Sequence, residues 1–528
     1  MPFDLIVVGG GHNGLVCAAY AAGAGLSVAV VERHERVGGA AFTEEFHPGF
    51  RNSAASYTVS LLEPSIIRDL DLVRYGLRIV PRPLENFVPA LAGRGLELPG
   101  DASERYTSIA QLSRRDADAY GRYTAQLNAI IRLVQPFFLE APVEPGASFS
   151  EWLRAFAVAG RSLGYGPRSL VQTLKFFFNS AGHRLDNYFE TDLLKGALGF
   201  DSIVGHFASP YTKGSGYLLL HHALGEIDGR RGAWGHAIGG MGAISDALAQ
   251  AAVARGVQLR TSEPVERIVP SADGFAVETG TGVLSSRLVA GAIHPRRLFL
   301  DLLAGADLTP EFRGRMENWR SESASFRINV ALSELPDFHC LPGKVTSRHH
   351  GAGILITPSL PYLDRAYRTA NETGMSDAPV VELVIPSVID DSLAPANAHV
   401  ASLFCQHFRY ALPDGLSWDK AKDDAIDRVL ATVDDYAPNF RRAVLGLRAY
   451  SPVDLEHRFG LVGGDIFHGA MVAGQLYRQR PARGYARYRT PVPNLYLCGS
   501  GAHPGGGVSG LPGHNAAHAI IEDWRAAP

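Results

Sequence analysis

A short apolar strand, a glycine turn, an alanine-rich helix and a second apolar strand ending in an acid follow one another without interruption at the start of this chain. Leu5-Ile6-Val7-Val8 is a continuous apolar run, as in a parallel strand covered on both faces. It leads into Gly9-Gly10-Gly11-His12-Asn13-Gly14, a G-x-G-x-x-G loop, and a helix is predicted from Leu15 to about Ala24. Val28-Ala29-Val30-Val31 then ends at Glu32. Gly9 permits the tight turn, Gly11 lets the backbone approach a pyrophosphate, and Gly14 lets helix and strand pack closely. The helix N-terminus supplies free N–H groups and a positive dipole end for phosphates. Glu32, 18 residues after Gly14, stands where an acid accepts a hydrogen bond from a ribose hydroxyl. A carboxylate there repels a 2′-phosphate, which disfavours NADP. This order of elements predicts an α/β, Rossmann-type nucleotide-binding domain. The motif alone leaves FAD and NAD both open.

A second glycine-rich unit closes the chain. Asn494-Leu495-Tyr496-Leu497-Cys498 reads as a strand and runs into Gly499-Ser500-Gly501-Ala502-His503-Pro504-Gly505-Gly506-Gly507-Val508-Ser509-Gly510. A helix is then predicted from Pro512 to about Trp524, proline being well suited to a first helical position. Such a helix N-terminus, aimed at a flavin pyrimidine ring, stabilises negative charge on the reduced cofactor. Arg36-Val37-Gly38-Gly39-Ala40, just past Glu32, lets the chain fold back over an extended ligand. Together these features favour FAD.

The chain resembles the FAD-dependent phytoene desaturase superfamily of flavin oxidoreductases. Within it, the nearest branch is the phytoene-dehydrogenase-like proteins related to pyridine nucleotide-disulphide oxidoreductase domain-containing protein 2. The resemblance rests on Val7 to Leu15, Val37-Gly38-Gly39-Ala40, Gly239-Gly240-Met241-Gly242, Gly463-Gly464-Asp465-Ile466-Phe467-His468-Gly469 and Leu497 to Gly507. It implies a flavin amine oxidase/phytoene desaturase-like architecture: a discontinuous Rossmann-type FAD-binding domain with a mixed α+β substrate domain. It also implies FAD contacts at Gly9, Gly11, Gly14, Glu32, Arg33, Gly38, Gly39, Ala40, Val265, Gly499, Ser500, Val508, Ser509 and Gly510. Leu511-Pro512-Gly513-His514-Asn515 departs from the ending of true carotenoid desaturases, which counts against carotenoid substrates more than against FAD.

With 528 residues the chain needs two or more domains. The FAD-binding domain is expected at 1–75, 231–300 and 485–528, and the substrate domain at 76–230 and 301–484. Gly235 to Gly242 leads into a helix, and no strand is evident directly before Gly239, which argues against a second dinucleotide site for NAD(P)H. In the substrate domain a helix is expected from Asp116 to Leu139, and strands near 325–332, 380–385 and 400–408. The segment Leu170 to Phe200 is rich in aromatics, suited to plain core, to an apolar tunnel or to peripheral contact with a membrane. A formal net charge of -3 gives no sign of a nucleic-acid partner. Cys17, Cys340, Cys405 and Cys498 form no C-x-x-C pair, which suits a reducing cytoplasm and not a redox-active disulfide.

The expected activity is a desaturase or dehydrogenase passing a hydride from an apolar small molecule to flavin N5, with oxygen or a quinone as electron acceptor. Candidate bases are His468, His503 and His514, with Asp465 and Gln475 behind them; each histidine is equally suited to bonding backbone or flavin without proton transfer. The adjacent pairs His221-His222 and His349-His350 would diverge on a strand, and no metal site is expected. Other readings are a flavin amine oxidase, a redox-neutral flavin isomerase and a non-enzymatic lipid-binding escort protein. The sequence assigns no oligomeric state.

Overall fold

In the computed structural model, residues 2–526 are described apart from 145–159, 161–172 and 174. Positions 170–172 and 174 of the aromatic segment therefore lie outside the described residues.

The apolar runs at the two ends of the chain meet in one sheet of seven strands. Gln258–Arg260, Val28–Val31, Phe3–Val8, Gly282–Gly291 and Leu495–Leu497 lie side by side and parallel. Leu5 pairs with Val28 on one side and Leu288 on the other. Val265–Ser271 and Gly274–Thr279 add an antiparallel meander along the first half of Gly282–Gly291. Leu5, Ile6 and Val7 are fully buried, as a parallel strand with both faces covered must be. The helix His12–Gly23 begins three residues before the predicted Leu15, because the end of the glycine loop forms its first turn. The helices Gly242–Val253 and Leu511–Ala526 pack against it. The latter crosses at Gly513, where a Cβ would stand 2.0 Å from the Asn13 carbonyl oxygen.

The second sheet also has seven strands, in the order Val444–Tyr450, Ser325–Leu332, His399–Phe408, Met375–Val384, Gly353–Ile356, Asn86–Val88 and Leu96–Leu98. Its neighbours are antiparallel except Gly353–Ile356 against Asn86–Val88. Side chains alternate with the period of two. Phe326, Ile328, Leu403 and Cys405 pack in the same core as Trp418 and Val429 of the helix Trp418–Asp434. Val380, Phe404 and Leu355 face the other way, into a core shared with the helices Arg114–Val134, Ala181–Tyr188, Asp192–Phe200 and Ser215–His222.

Three local readings need correction. A strand, Gly235–Ala237, does precede Gly239; however, it pairs antiparallel with Ile79–Pro81 in a separate ribbon and does not extend the parallel sheet. His221 and His222 end a helix that is buried all round, so no periodicity marked it in the sequence. His349 and His350 lie in a single 3-10 turn, Arg348–Gly351, their rings 3.9 Å apart.

Candidate active site

One cleft, of about 400 Å³, joins the two sheets. Its walls include Gly9, Gly11, Glu32, Arg33, Gly39, Ala40 and Val265 from the nucleotide side, then Ser500 and Val508 from the C-terminal loop. It continues among Tyr57, Val204, Phe404, Ile466 and Phe467. So two sequence units nearly 500 residues apart form one surface. The tie is direct: Asn13 Nδ2 donates to Ser500 Oγ at 3.0 Å.

The nucleotide end is shaped for an extended ligand. A Cβ at Gly11 would meet nothing within 4 Å, so bare backbone faces open cleft there. Gly11 caps the helix His12–Gly23 without any side-chain hydrogen bond to the first turn. That leaves backbone N–H groups for a phosphate. Glu32 is held rigidly: Oε2 accepts from Gly10 N–H at 2.8 Å and Oε1 from His34 N–H at 3.0 Å. Gly39 has φ +55° and its Cβ position lies 3.2 Å from Gly11 Cα, so the two loops touch through glycine alone. Asn13 Oδ1 and Ser60 Oγ are buried on the cleft wall without a protein partner. This donor set and cradle fit a dinucleotide such as FAD.

The remaining residues expected to contact the cofactor stand behind the wall. A Cβ on Gly14 would sit 2.2 Å from the Gly9 carbonyl oxygen, and one on Gly499 2.9 Å from the Ala292 backbone. Gly38, at φ +133°, donates from its N–H to Gly10 O at 2.9 Å. Ser509 Oγ accepts from Leu511 N–H at 3.2 Å, and Gly510 abuts Ile66 at φ +76°. These residues shape the loops and do not line the cleft.

The three candidate bases separate. His468 lines the cleft; its Nδ1 is buried without a partner, and burial pushes its pKa down to about 4. His503 lies away from it, with Nε2 donating to Phe137 O at 2.7 Å. His514 sits on the outer side of the last helix, edge-on to Tyr20 and 3.2 Å from His518 (Nε2 to Nε2). Asp465 and Gln475 bond backbone groups. Asp465 Oδ1 accepts from Phe467 N–H at 2.7 Å, while Gln475 accepts from Arg320 N–H at 2.8 Å and donates to Arg320 O at 3.0 Å.

Several cleft residues escaped the sequence reading. His294 follows the strand Gly282–Gly291; that position was its signal. Its Nδ1 accepts from Arg296 N–H at 3.2 Å, so the ring proton is on Nε2 and is given to Ser321 Oγ at 2.9 Å. His12 likewise donates from Nε2 to Gly507 O at 3.2 Å, and burial lowers its pKa to about 4. Tyr57 is fixed by a cross-strand row: Arg327, Phe404 and Glu382 are directly paired on three neighbouring strands. Phe404 stacks on the Tyr57 ring at 5.3 Å, the Arg327 guanidinium covers it at 4.4 Å, and the Tyr57 hydroxyl donates to Glu382. No sequence spacing encodes that register.

Residues 7–68 match the NAD(P)-binding Rossmann-like domain family. Pyridine nucleotide-disulfide oxidoreductase domain-containing protein 2 of Rattus norvegicus is 41% identical, over 99% of this chain and 94% of the rat protein. Phytoene desaturase (lycopene-forming) of Pseudescherichia vulneris is 24% identical, over 98% and 99% respectively. Cyclohexylamine oxidase from Brevibacterium oxydans IH-35A shares the fold, with a TM-score of 0.57 and 17% identity, over 99% of this chain and 100% of that one. The chain belongs to the family of pyridine nucleotide-disulfide oxidoreductase domain-containing protein 2, within the FAD-dependent, phytoene desaturase-like oxidoreductases.

Proposed function

We propose that this oxidoreductase binds FAD along the cleft and oxidises an apolar small molecule by hydride transfer to flavin N5, with oxygen or a quinone as final acceptor. The observation that carries the reading is the continuity of the cleft, from the Gly11 cradle through Ser500 and Val508 to an apolar chamber. Bound FAD supplies the hydride acceptor. In this reading Gly9, Gly11 and the first turn of the following helix hold the pyrophosphate, Glu32 holds the ribose, and Val265 lies by the adenine. Val204, Phe404, Ile466 and Phe467 orient the substrate and exclude water. His468, neutral at pH 7, takes the proton. The same reading assigns 1–75, 231–300 and 485–528 to the cofactor and 76–230 and 301–484 to the substrate. The seven strands of the first sheet support this division. A cytoplasmic location is proposed on the four free cysteines. Among the described residues no helix is long and apolar enough to cross a membrane.

The test is the visible spectrum of the purified protein and the identity of any released cofactor. A flavin spectrum with FAD released is expected. A colourless protein that cannot be reconstituted with FAD would sink the reading.

A further inference from the structure

His222 is fixed in one tautomer by its surroundings. It ends the helix Ser215–His222 and lines the cleft. Its Nδ1 lies 2.9 Å from Leu218 O and 3.0 Å from Asp201 O. Both oxygens are backbone carbonyls, which only accept, so the proton resides on Nδ1. Burial pushes the ring pKa down to about 4, so the ring is neutral at pH 7. Nε2 therefore carries a lone pair, and among the described residues no donor takes it. The ring is held in place: Trp234 stacks on it at 6.3 Å and 24°, and Phe467 lies 6.3 Å away.

Three polar groups of the same cleft region, Arg82, Thr58 and Tyr57, are already committed. The Arg82 guanidinium lies 5.7 Å from the Trp234 ring centre and donates to Glu382 at 3.1 Å and to Thr58 Oγ1 at 3.0 Å. Thr58 Oγ1 donates to Gly235 O at 3.1 Å, and Tyr57 donates to Glu382. A fixed, neutral acceptor thus stands beside the apolar side chains Val204, Phe404, Ile466 and Phe467. Among the described residues the only carboxylate lining the cleft is Glu32, at the nucleotide end. An ammonium group would lack the negative partner it needs in such a site, whereas a neutral hydroxyl needs only the lone pair.

We propose that the substrate is an apolar alcohol whose hydroxyl donates a hydrogen bond to Nε2 of His222, which makes His222 a specificity-determining residue. The substrate class rests on the oxidoreductase reading above; the acceptor site itself does not.

The test compares cyclohexanol, cyclohexyl methyl ether and methylcyclohexane. The ether keeps the oxygen but cannot donate. Binding is followed on the purified full chain through tryptophan fluorescence, whether or not flavin is bound, so failure of the flavin reading is seen separately in the absorption spectrum. Cyclohexanol is expected to bind about fivefold more tightly than the ether, as one hydrogen bond supplies. His222→Phe should erase that ratio, and His222→Gln, whose amide oxygen also accepts, should keep part of it. Equal affinity for alcohol and ether in the wild type, no binding of any probe, or an unchanged ratio in His222→Phe overturns the proposal. If His222→Phe fails to fold, the wild-type ratio and His222→Gln decide.

Discussion

At the scale of single residues, the glycines of the first loop differ in what surrounds them, and that difference can be measured. Gly11 has ordinary backbone angles, φ -68° and ψ 167°, and open space where a Cβ would be. Gly11→Val should leave the apoprotein's melting temperature within about 1 °C, since surface changes of this kind usually cost under ~0.5 kcal/mol. It should abolish flavin retention, because the isopropyl group fills the cradle. Gly14→Ala places its methyl 2.2 Å from the Gly9 carbonyl oxygen, forcing helix from strand. Overpacking of that kind costs about 1–3 kcal/mol and should lower the melting temperature of the apoprotein itself. Thermal melts of both apoproteins, with FAD content by absorbance, separate the roles. Equal stability losses would show that Gly11 is structural too.

Among elements, the glycine loop 499–510 is held by a buried cation as well as by its own sequence. Arg480 is fully buried and donates to four backbone carbonyls: Ser500 at 2.7 Å, Phe467 at 2.8 Å, and Gly469 and Gln475 both at 3.2 Å. It ties the stretch bearing His468 to the C-terminal loop. Lysine has three donors on one atom and cannot span this set. Arg480→Lys should therefore cost about 2–4 kcal/mol, since each stranded carbonyl costs ~1–3 kcal/mol. Urea unfolding checks this; an unchanged midpoint would mean that the carbonyls find other donors. Such a staple also marks how far the sequence was readable. Both strand–glycine–helix units were legible because their chemistry is local, each glycine excused by a turn or a close approach. Arg480 looks like any surface arginine until the fold surrounds it with carbonyls. The Arg327–Phe404–Glu382 row depends on register between distant strands, and the His222 acceptor on the Asp201 carbonyl, 21 residues away and outside its own helix turn. His503 and His514 sat in motif positions, yet loop curvature and helix phase turned their rings away from the cleft.

Across the whole molecule, buried histidines should dominate the response to acid. Burial pushes His12, His206, His222, His468 and His503 down to about 4, and His221 and His407 to about 3. Unfolded histidine titrates near 6.5, so below that pH the unfolded chain gains protons that the fold refuses. Stability contributed by these rings is thus complete above pH 6.5 and is lost as pH falls through 6.5 toward 4. At pH 5.5 each ring costs about 1 to 2 kcal/mol, or on the order of 10 kcal/mol for the seven. Buried carboxyls oppose this, Glu85 among them. Burial raises Asp201 to about 7 and Asp465 to about 6, so the fold takes up protons there first and gains stability in the same window. Their combined gain at pH 5.5 is about 3 kcal/mol, too little to balance the histidines. The net loss, roughly 7 kcal/mol, is comparable to the whole stability of a typical protein, about 5–15 kcal/mol. We therefore expect the melting temperature to fall by about 6 °C between pH 7.5 and pH 5.5, and further as the pH drops toward 4. Calorimetry across that range decides the matter. A flat melting temperature would show that the fold admits charged imidazoles, and that rings such as His222 and His468 take up protons in the folded protein near the ordinary pH.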